Sequence, residues 1–128
     1  MPAVVARRCR FIIEENQRVL DLAHAITKGD KNVLANLFSA SYVGARDLFE
    51  IGAPAMEAMI NAILKSPGVI SGRQAGAGFG GCMVALVRAD SMEEFSQQVR
   101  KLYEEKTGIT PRIFRITASA GAGLLNLL

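Results

Sequence analysis

Val69-Ile70-Ser71-Gly72-Arg73-Gln74-Ala75-Gly76-Ala77-Gly78-Phe79-Gly80-Gly81-Cys82-Met83-Val84-Ala85-Leu86-Val87 sets a cluster of glycines between two segments of strand composition. Residues 69–75 have the composition of a strand. Residues 82–87 form a short continuous apolar run, the pattern of a buried strand. Between them lies a loop dominated by glycine, Gly76, Ala77, Gly78, Phe79, Gly80 and Gly81. Glycine loses more backbone freedom on folding than any other residue, so such a cluster needs a return. The return is a tight turn, a positive φ angle, or close approach of backbone to a ligand. Backbone amides that face one point suit an anion, phosphate above all. A crowded hairpin that only needs small residues explains the composition equally well.

Three phosphate-loop patterns fail here. Gly76, Gly78 and Gly81 satisfy G-x-G-x-x-G, but the dinucleotide loop opens a helix and this one opens a strand. A Walker A loop ends in Gly-Lys-Ser/Thr, whereas this one ends in Gly80-Gly81-Cys82. A protein-kinase glycine loop needs a lysine in the next strand, an HRD loop and a DFG segment, and none is present.

Outward from the loop the pattern is helical. Upstream, Val5, Cys9, Ile12, Val19, Ala23 and Ile26 recur at helical steps over residues 3–28, and Phe11, Ile13 and Leu20 broaden the face. Gly29-Asp30 joins this helix to a second at about 31–48, built on Val33, Leu34, Leu37, Phe38, Tyr42, Ala45 and Leu48. Pro54 opens a third, with Met56, Met59, Ile60, Ile63 and Leu64 as its stripe. Ser66-Pro67-Gly68 ends it. Downstream, Ser91 and Glu94 read as a capping box. The helix that follows buries Phe95, Val99, Leu102 and Tyr103 and stops at Gly108. Residues 112–117 read as a last strand, with Phe114, Ile116 and Ala118 on one face, and residues 49–52 as a further short one. The implied class is α+β: a split βαβ, ferredoxin-like sheet with two long N-terminal helices packed on it.

The chain has 128 residues, 15 basic and 12 acidic, for a net charge of +3. That is one domain, with no internal boundary. The charge is too mild and too dispersed for a nucleic-acid surface. No apolar run approaches the ~18 residues of a membrane span, and residues 1–8 lack the order of a signal peptide. Cys9 and Cys82 form no disulfide framework and have too few partners for a metal site. A reducing, cytoplasmic setting follows.

Other polar residues have plain readings. Asn16 is expected as a satisfied group at the core's edge, and His24 has no partner for catalysis or metal binding. Arg7, Arg8 and Arg10 read as a solvated face, and Arg46-Asp47 as an ion pair. Arg73, three residues before the loop, reads as structural, with phosphate contact as the functional alternative. Met56 and Met59 read as core filler, and Cys82 as an inert apolar residue opening a buried strand.

Gly76-Ala77-Gly78-Phe79-Gly80-Gly81-Cys82, preceded by Arg73 and followed by an apolar strand, resembles the third conserved motif of the GHMP small-molecule kinases, in the form found in galactokinases. Glu15-Asn16-Gln17-Arg18-Val19-Leu20, Gly29-Asp30 with Leu37, Arg46-Asp47 with Phe49-Glu50-Ile51 and Pro54, and Ala118-Ser119-Ala120-Gly121-Ala122-Gly123 resemble further segments of the galactokinase C-terminal domain, in order. Tyr42 stands where that family often has the histidine of a Ser-His pair, Gly44 replaces a common serine, Ala53 a common cysteine, and Gln74-Ala75 a usual Met-Thr. These departures bear on the sugar more than on the superfamily.

The resemblance implies that ATP, with Mg, phosphorylates the anomeric hydroxyl of galactose in a complete two-domain enzyme. It implies an N-terminal domain, in the same chain or a separate one, that carries the main phosphate loop, the catalytic base and most of the sugar pocket. None of those patterns occurs in this sequence, so no catalytic residue and no metal ligand is assigned to it, and the chain alone is expected to be inactive. Residues 76–81 would form the phosphate side of the cleft, supported by Arg73 and Cys82. The sequence leaves open a non-catalytic binding or regulatory module of the same fold, and a GHMP kinase for another sugar such as N-acetylgalactosamine.

Overall fold

A computed structural model describes residues 1–76, 78–119 and 121. Among these residues, four α-helices and one two-stranded antiparallel sheet build the domain. Helix α1 (Ala3–Lys28) ends at Gly29, whose φ of 67° stops it in a left-handed C-cap. Asp30 then caps α2 (Lys31–Gly44) by accepting from the amides of Asn32 and Val33 at 3.1 Å each. The helical hairpin read at Gly29-Asp30 therefore forms as expected.

The second helix does not run to residue 48. It gives way at Gly44 to a π-helical turn, Ala45–Phe49, which closes on Glu50 in a left-handed conformation with φ 65°. No strand forms over residues 49–52. The wider turn lets Phe49 meet Phe11 of α1, with ring centroids 5.3 Å apart. Helix α3 (Pro54–Leu64) begins at its proline, as the fixed φ of that residue favours.

Strand β1 (Val69–Gln74) pairs with β2 (Met83–Val87), from Val69 opposite Val87 to Gln74 opposite Met83, with a bulge between Val69 and Ser71. A short 3₁₀ turn, Ala89–Ser91, leads into α4 (Met92–Thr107). The Ser91 hydroxyl donates to Asp90 at 2.8 Å and caps nothing, so the expected capping box is not made. The preceding 3₁₀ turn turns the serine out of capping geometry.

The main core lies between α3, α4 and the sheet. Ala62, Ile63, Phe95, Val99 and Tyr103 are buried there, and Met83, Ala85 and Val87 pack against them. Helix α2 packs on β1, where the Ser71 hydroxyl donates to the Ala35 carbonyl at 3.2 Å. Helix α1 packs on α2.

The α+β class stands, but three further local expectations do not. Residues 112–117 pair with no strand among the described residues. Pro111 is buried and Ile113 joins the core, while Phe114 and Ile116 face solvent. Alternation is present, but a strand also needs a neighbouring edge to accept its amides. Strand β2 is only half-buried along its length, because a two-stranded sheet covers it less than a wider one would. On α1 only Phe11 and Ala25 are buried, and most of the expected core stripe is exposed.

Candidate functional site

The glycine loop sits where β1 and β2 run out. The Ala75 amide donates to the Cys82 carbonyl at 2.9 Å and closes the strand pair beneath it. Ala77 lies outside the described residues. The other glycines of the loop all have positive φ, from 81° at Gly76 to 130° at Gly80. Gly78 also has no room: a Cβ there would stand 2.6 Å from the Ile51 carbonyl oxygen. Backbone contact of that kind admits only glycine.

Phe79 is the unusual residue. Its φ is 58°, a conformation that non-glycine side chains adopt at a cost of about 1–2 kcal/mol. Its ring is 73% exposed, so no packing repays that cost inside the domain. The loop is held in this shape from below. The Phe79 amide donates to the Ile51 carbonyl at 2.9 Å, and the Gly80 amide to the Met56 sulfur at 3.3 Å. Both anchors come from the start of α3 and the segment before it. These two amides are therefore engaged, and the uniform anion cradle expected from the sequence is narrowed. The amides of Gly76, Gly78 and Gly81 donate to no described residue.

Arg73 is not a free charge beside the loop. Its guanidinium meets Glu15 at 3.1 Å, and the same carboxylate accepts from the Ser41 hydroxyl at 2.6 Å and from Arg18 at 2.8 Å. Burial pushes the Glu15 carboxyl up, but Ser41, Arg18 and Arg73 outweigh it and hold it below the usual carboxylate range. One acidic group thus ties α1, α2 and β1 together just ahead of the loop. The Glu15–Arg18 spacing is visible in the sequence. Nothing there reveals that Ser41 and Arg73 share the carboxylate.

A second polar cluster stands on the other side of the π-helical turn. The Tyr42 hydroxyl donates to Glu57 at 2.6 Å, and Arg46 pairs with Asp47 at 2.6 Å and lies 3.7 Å from Glu57. Burial, then the Glu57 bond, raises the Tyr42 hydroxyl well above its ordinary value. The Arg46-Asp47 ion pair is as read. Ser41 and Tyr42 are each committed to a glutamate, Glu15 and Glu57. Glu50 accepts from Arg7 at 2.9 Å and from Arg8 at 3.4 Å, and Arg10 pairs with Glu14 at 2.6 Å, so all three N-terminal arginines are paired rather than simply solvated.

The remaining candidates stand apart. Cys82 is exposed and precedes β2, not the buried strand start expected, because the backbone is still leaving the loop there. Cys9, Asn16 and His24 are exposed on α1. Met56 is core, as read, though its sulfur also braces the loop. A groove of about 780 Å³ lies between α4 and residues 113–115 and shares no residue with the loop. Among the described residues no group of three or more His, Cys, Asp or Glu side chains is placed to hold a metal ion.

The domain is thus an αα-hairpin on a two-stranded sheet whose connecting glycine loop projects a strained aromatic beside an Arg–Glu network. A family profile described as GHMP kinases C terminal matches residues 22–105, and the chain belongs to that family. Galactokinase from Clostridium acetobutylicum is 33% identical over 123 residues, covering 96% of this chain and 32% of that protein. The crystal structure of Lactococcus lactis galactokinase complexed with galactose superposes with a TM-score of 0.79 at 30% identity, over 85% of this chain and 28% of that one. The chain therefore spans about a third of the length of these relatives. No helix among the described residues is long and apolar enough to cross a membrane.

Proposed function

We propose that this chain is the C-terminal domain of a galactokinase-type sugar kinase, working in the cytoplasm with an N-terminal catalytic domain in cis or in trans. The observation that carries the reading is the loop: Phe79 held at φ 58° and exposed, on a loop braced through Ile51 and Met56. A domain has no use for an exposed strained aromatic unless something else docks on it.

In the complete enzyme the anomeric hydroxyl of galactose attacks the γ-phosphorus of ATP. The bond to the bridging oxygen breaks, ADP leaves, and the hydroxyl proton goes to a base on the N-terminal domain. Such transfers depend on positioning and on spreading negative charge. Magnesium, when bound, supplies charge neutralisation at the phosphates. The residues of this chain shape the phosphate side of the cleft. Gly76, Gly78 and Gly81 offer amides that no described residue engages, Gly80 and Phe79 fix the loop's path, and the Phe79 ring abuts the partner domain or the sugar. Arg73 and Cys82 support the loop from its two ends, Arg73 through Glu15. Ala77 belongs to the same assignment by sequence.

The test is a chimera in which this chain replaces the matching last third of the C. acetobutylicum enzyme. It is assayed for ADP release with galactose, N-acetylgalactosamine and other sugars. Galactose-dependent turnover by the chimera, with none from the 128-residue chain alone, is expected. Preference for another sugar would redirect the acceptor. A folded chimera that binds nucleotide but turns over no sugar would favour a regulatory module.

A further inference from the structure

Helix α1 is apolar on two sides. One side holds Phe11 and Ala25 against the rest of the domain. The other carries Val5, Ile12, Val19 and Ile26 at seven-residue intervals, with Cys9 and Leu20 beside them, and all six are exposed. At 3.6 residues per turn the row from Val5 to Ile26 is centred roughly 110° around the helix from Phe11, Arg18 and Ala25, and Cys9 and Leu20 extend it to roughly 200°. The polar sector, with Arg10, Glu14, Gln17, Asp21 and Lys28, is a third and narrower side. A surface helix needs only one apolar face, whereas one with a second, separate apolar face is built to be covered on both.

A constant seven-residue interval keeps residues facing a partner helix along the full length of contact. Asn16 lies inside the stripe, where a polar residue fixes register between helices at some loss of stability. A second copy of α1 is a poor occupant. The helix is 26 residues, about 39 Å, so a stripe about 10 Å wide offers on the order of 400 Å² a side, half of a standard interface. The family profile begins at residue 22, yet similarity to the C. acetobutylicum galactokinase covers 96% of the chain. Most of α1 therefore lies ahead of the general domain and within the part shared with galactokinases. About two thirds of that relative lies outside the shared stretch.

We propose that the outer stripe of α1 is the seat of an apolar helical face from the N-terminal region of a galactokinase-type enzyme. The inference rests on the C-terminal-domain reading above. It adds that this region grips the domain at α1, in addition to any contact at the glycine loop.

The chimera described above tests it, with Cys9 as a footprint read by mass spectrometry after maleimide labelling. Native labelling of Cys9 is expected to be at least roughly tenfold slower in the chimera than in the 128-residue chain. The triple variant Ile12→Ser, Val19→Ser, Ile26→Ser should lower the chimera's melting temperature by roughly 5 °C or more and leave that of the 128-residue chain nearly unchanged. If the triple variant folds poorly, Val19→Ser alone with the Cys9 footprint decides. Equal Cys9 labelling in both proteins would overturn the proposal. So would a 128-residue chain that is dimeric by light scattering with Cys9 already protected, since a second copy would then be the occupant. A chimera that phosphorylates galactose with Cys9 fully reactive keeps the kinase reading and discards this one. A chimera that protects Cys9 without turnover does the reverse.

Discussion

Helices α4 and α1 have similar sequence signatures and different fates. Both are long and amphipathic, and both carry regular apolar stripes. On α4 the stripe disappears: Phe95, Val99 and Tyr103 are buried against α3 and the sheet. On α1 two residues are buried and the stripe faces outward. Periodicity records which residues need cover. It does not record whether the cover belongs to the same domain. The same holds at the loop, where Phe79 shows an aromatic need unmet inside the fold.

The largest effect that sharpens this contrast is a pair of truncations in the 128-residue chain. Phe95→Ala should cost about 3–5 kcal/mol in urea unfolding, and Val19→Ser no more than about 0.5 kcal/mol. Equal costs would erase the distinction between the helices. Next comes Gly78→Ala. The added Cβ meets the Ile51 carbonyl in a left-handed backbone, so a loss of about 2–3 kcal/mol is expected. Unaltered stability would mean that Ile51 does not brace the loop.

Glu15→Gln reports on the network that links α1 to β1. The folded carboxyl lies below its ordinary value, so its contribution is present above the unfolded pKa of about 4.3 and fades as pH falls through the folded value. The variant should be less stable by about 1–2 kcal/mol at neutral pH and should converge with the parent in strong acid. A pH-independent gap would mean that the charge of Glu15 is not what matters. The smallest effect concerns Gln74, which is buried with its side-chain oxygen unpartnered among the described residues. Gln74→Met, toward the residue usual in galactokinases, should raise stability by about 1 kcal/mol in the same urea assay. A loss there would show that Gln74 has a partner in solution.

Much of the central unit is legible without coordinates. The glycine loop between two apolar runs defines β1 and β2 to within a residue. Gly29-Asp30 marks the helical hairpin because a left-handed cap followed by an N-cap is local chemistry. The rest depends on contacts distant in sequence. The π-helical turn forms where Gly44 lies under the Phe11 ring, a meeting of residues far apart along the chain. The Glu15–Ser41–Arg73 group is invisible for the same reason. Residues 112–117 alternate like a strand, but pairing also requires an available edge. The Ser91-x-x-Glu94 spacing was correct for a capping box, and the 3₁₀ turn before it redirected the serine to Asp90. At the site the loop residues are readable, but the engagement of the Phe79 and Gly80 amides is not, because Ile51 and Met56 come from another element.

The most direct test of a composite site is the effect of Gly80→Val on the chimera. A Cβ at residue 80 meets nothing, yet its φ of 130° is open essentially to glycine alone, so the change alters the loop's path without filling space. Galactose-dependent ADP release is predicted in the parent chimera and a fall of roughly a hundredfold in the variant, with the melting temperature nearly kept. Unchanged turnover and ATP affinity in Gly80→Val, or robust turnover by the 128-residue chain alone, would contradict the account.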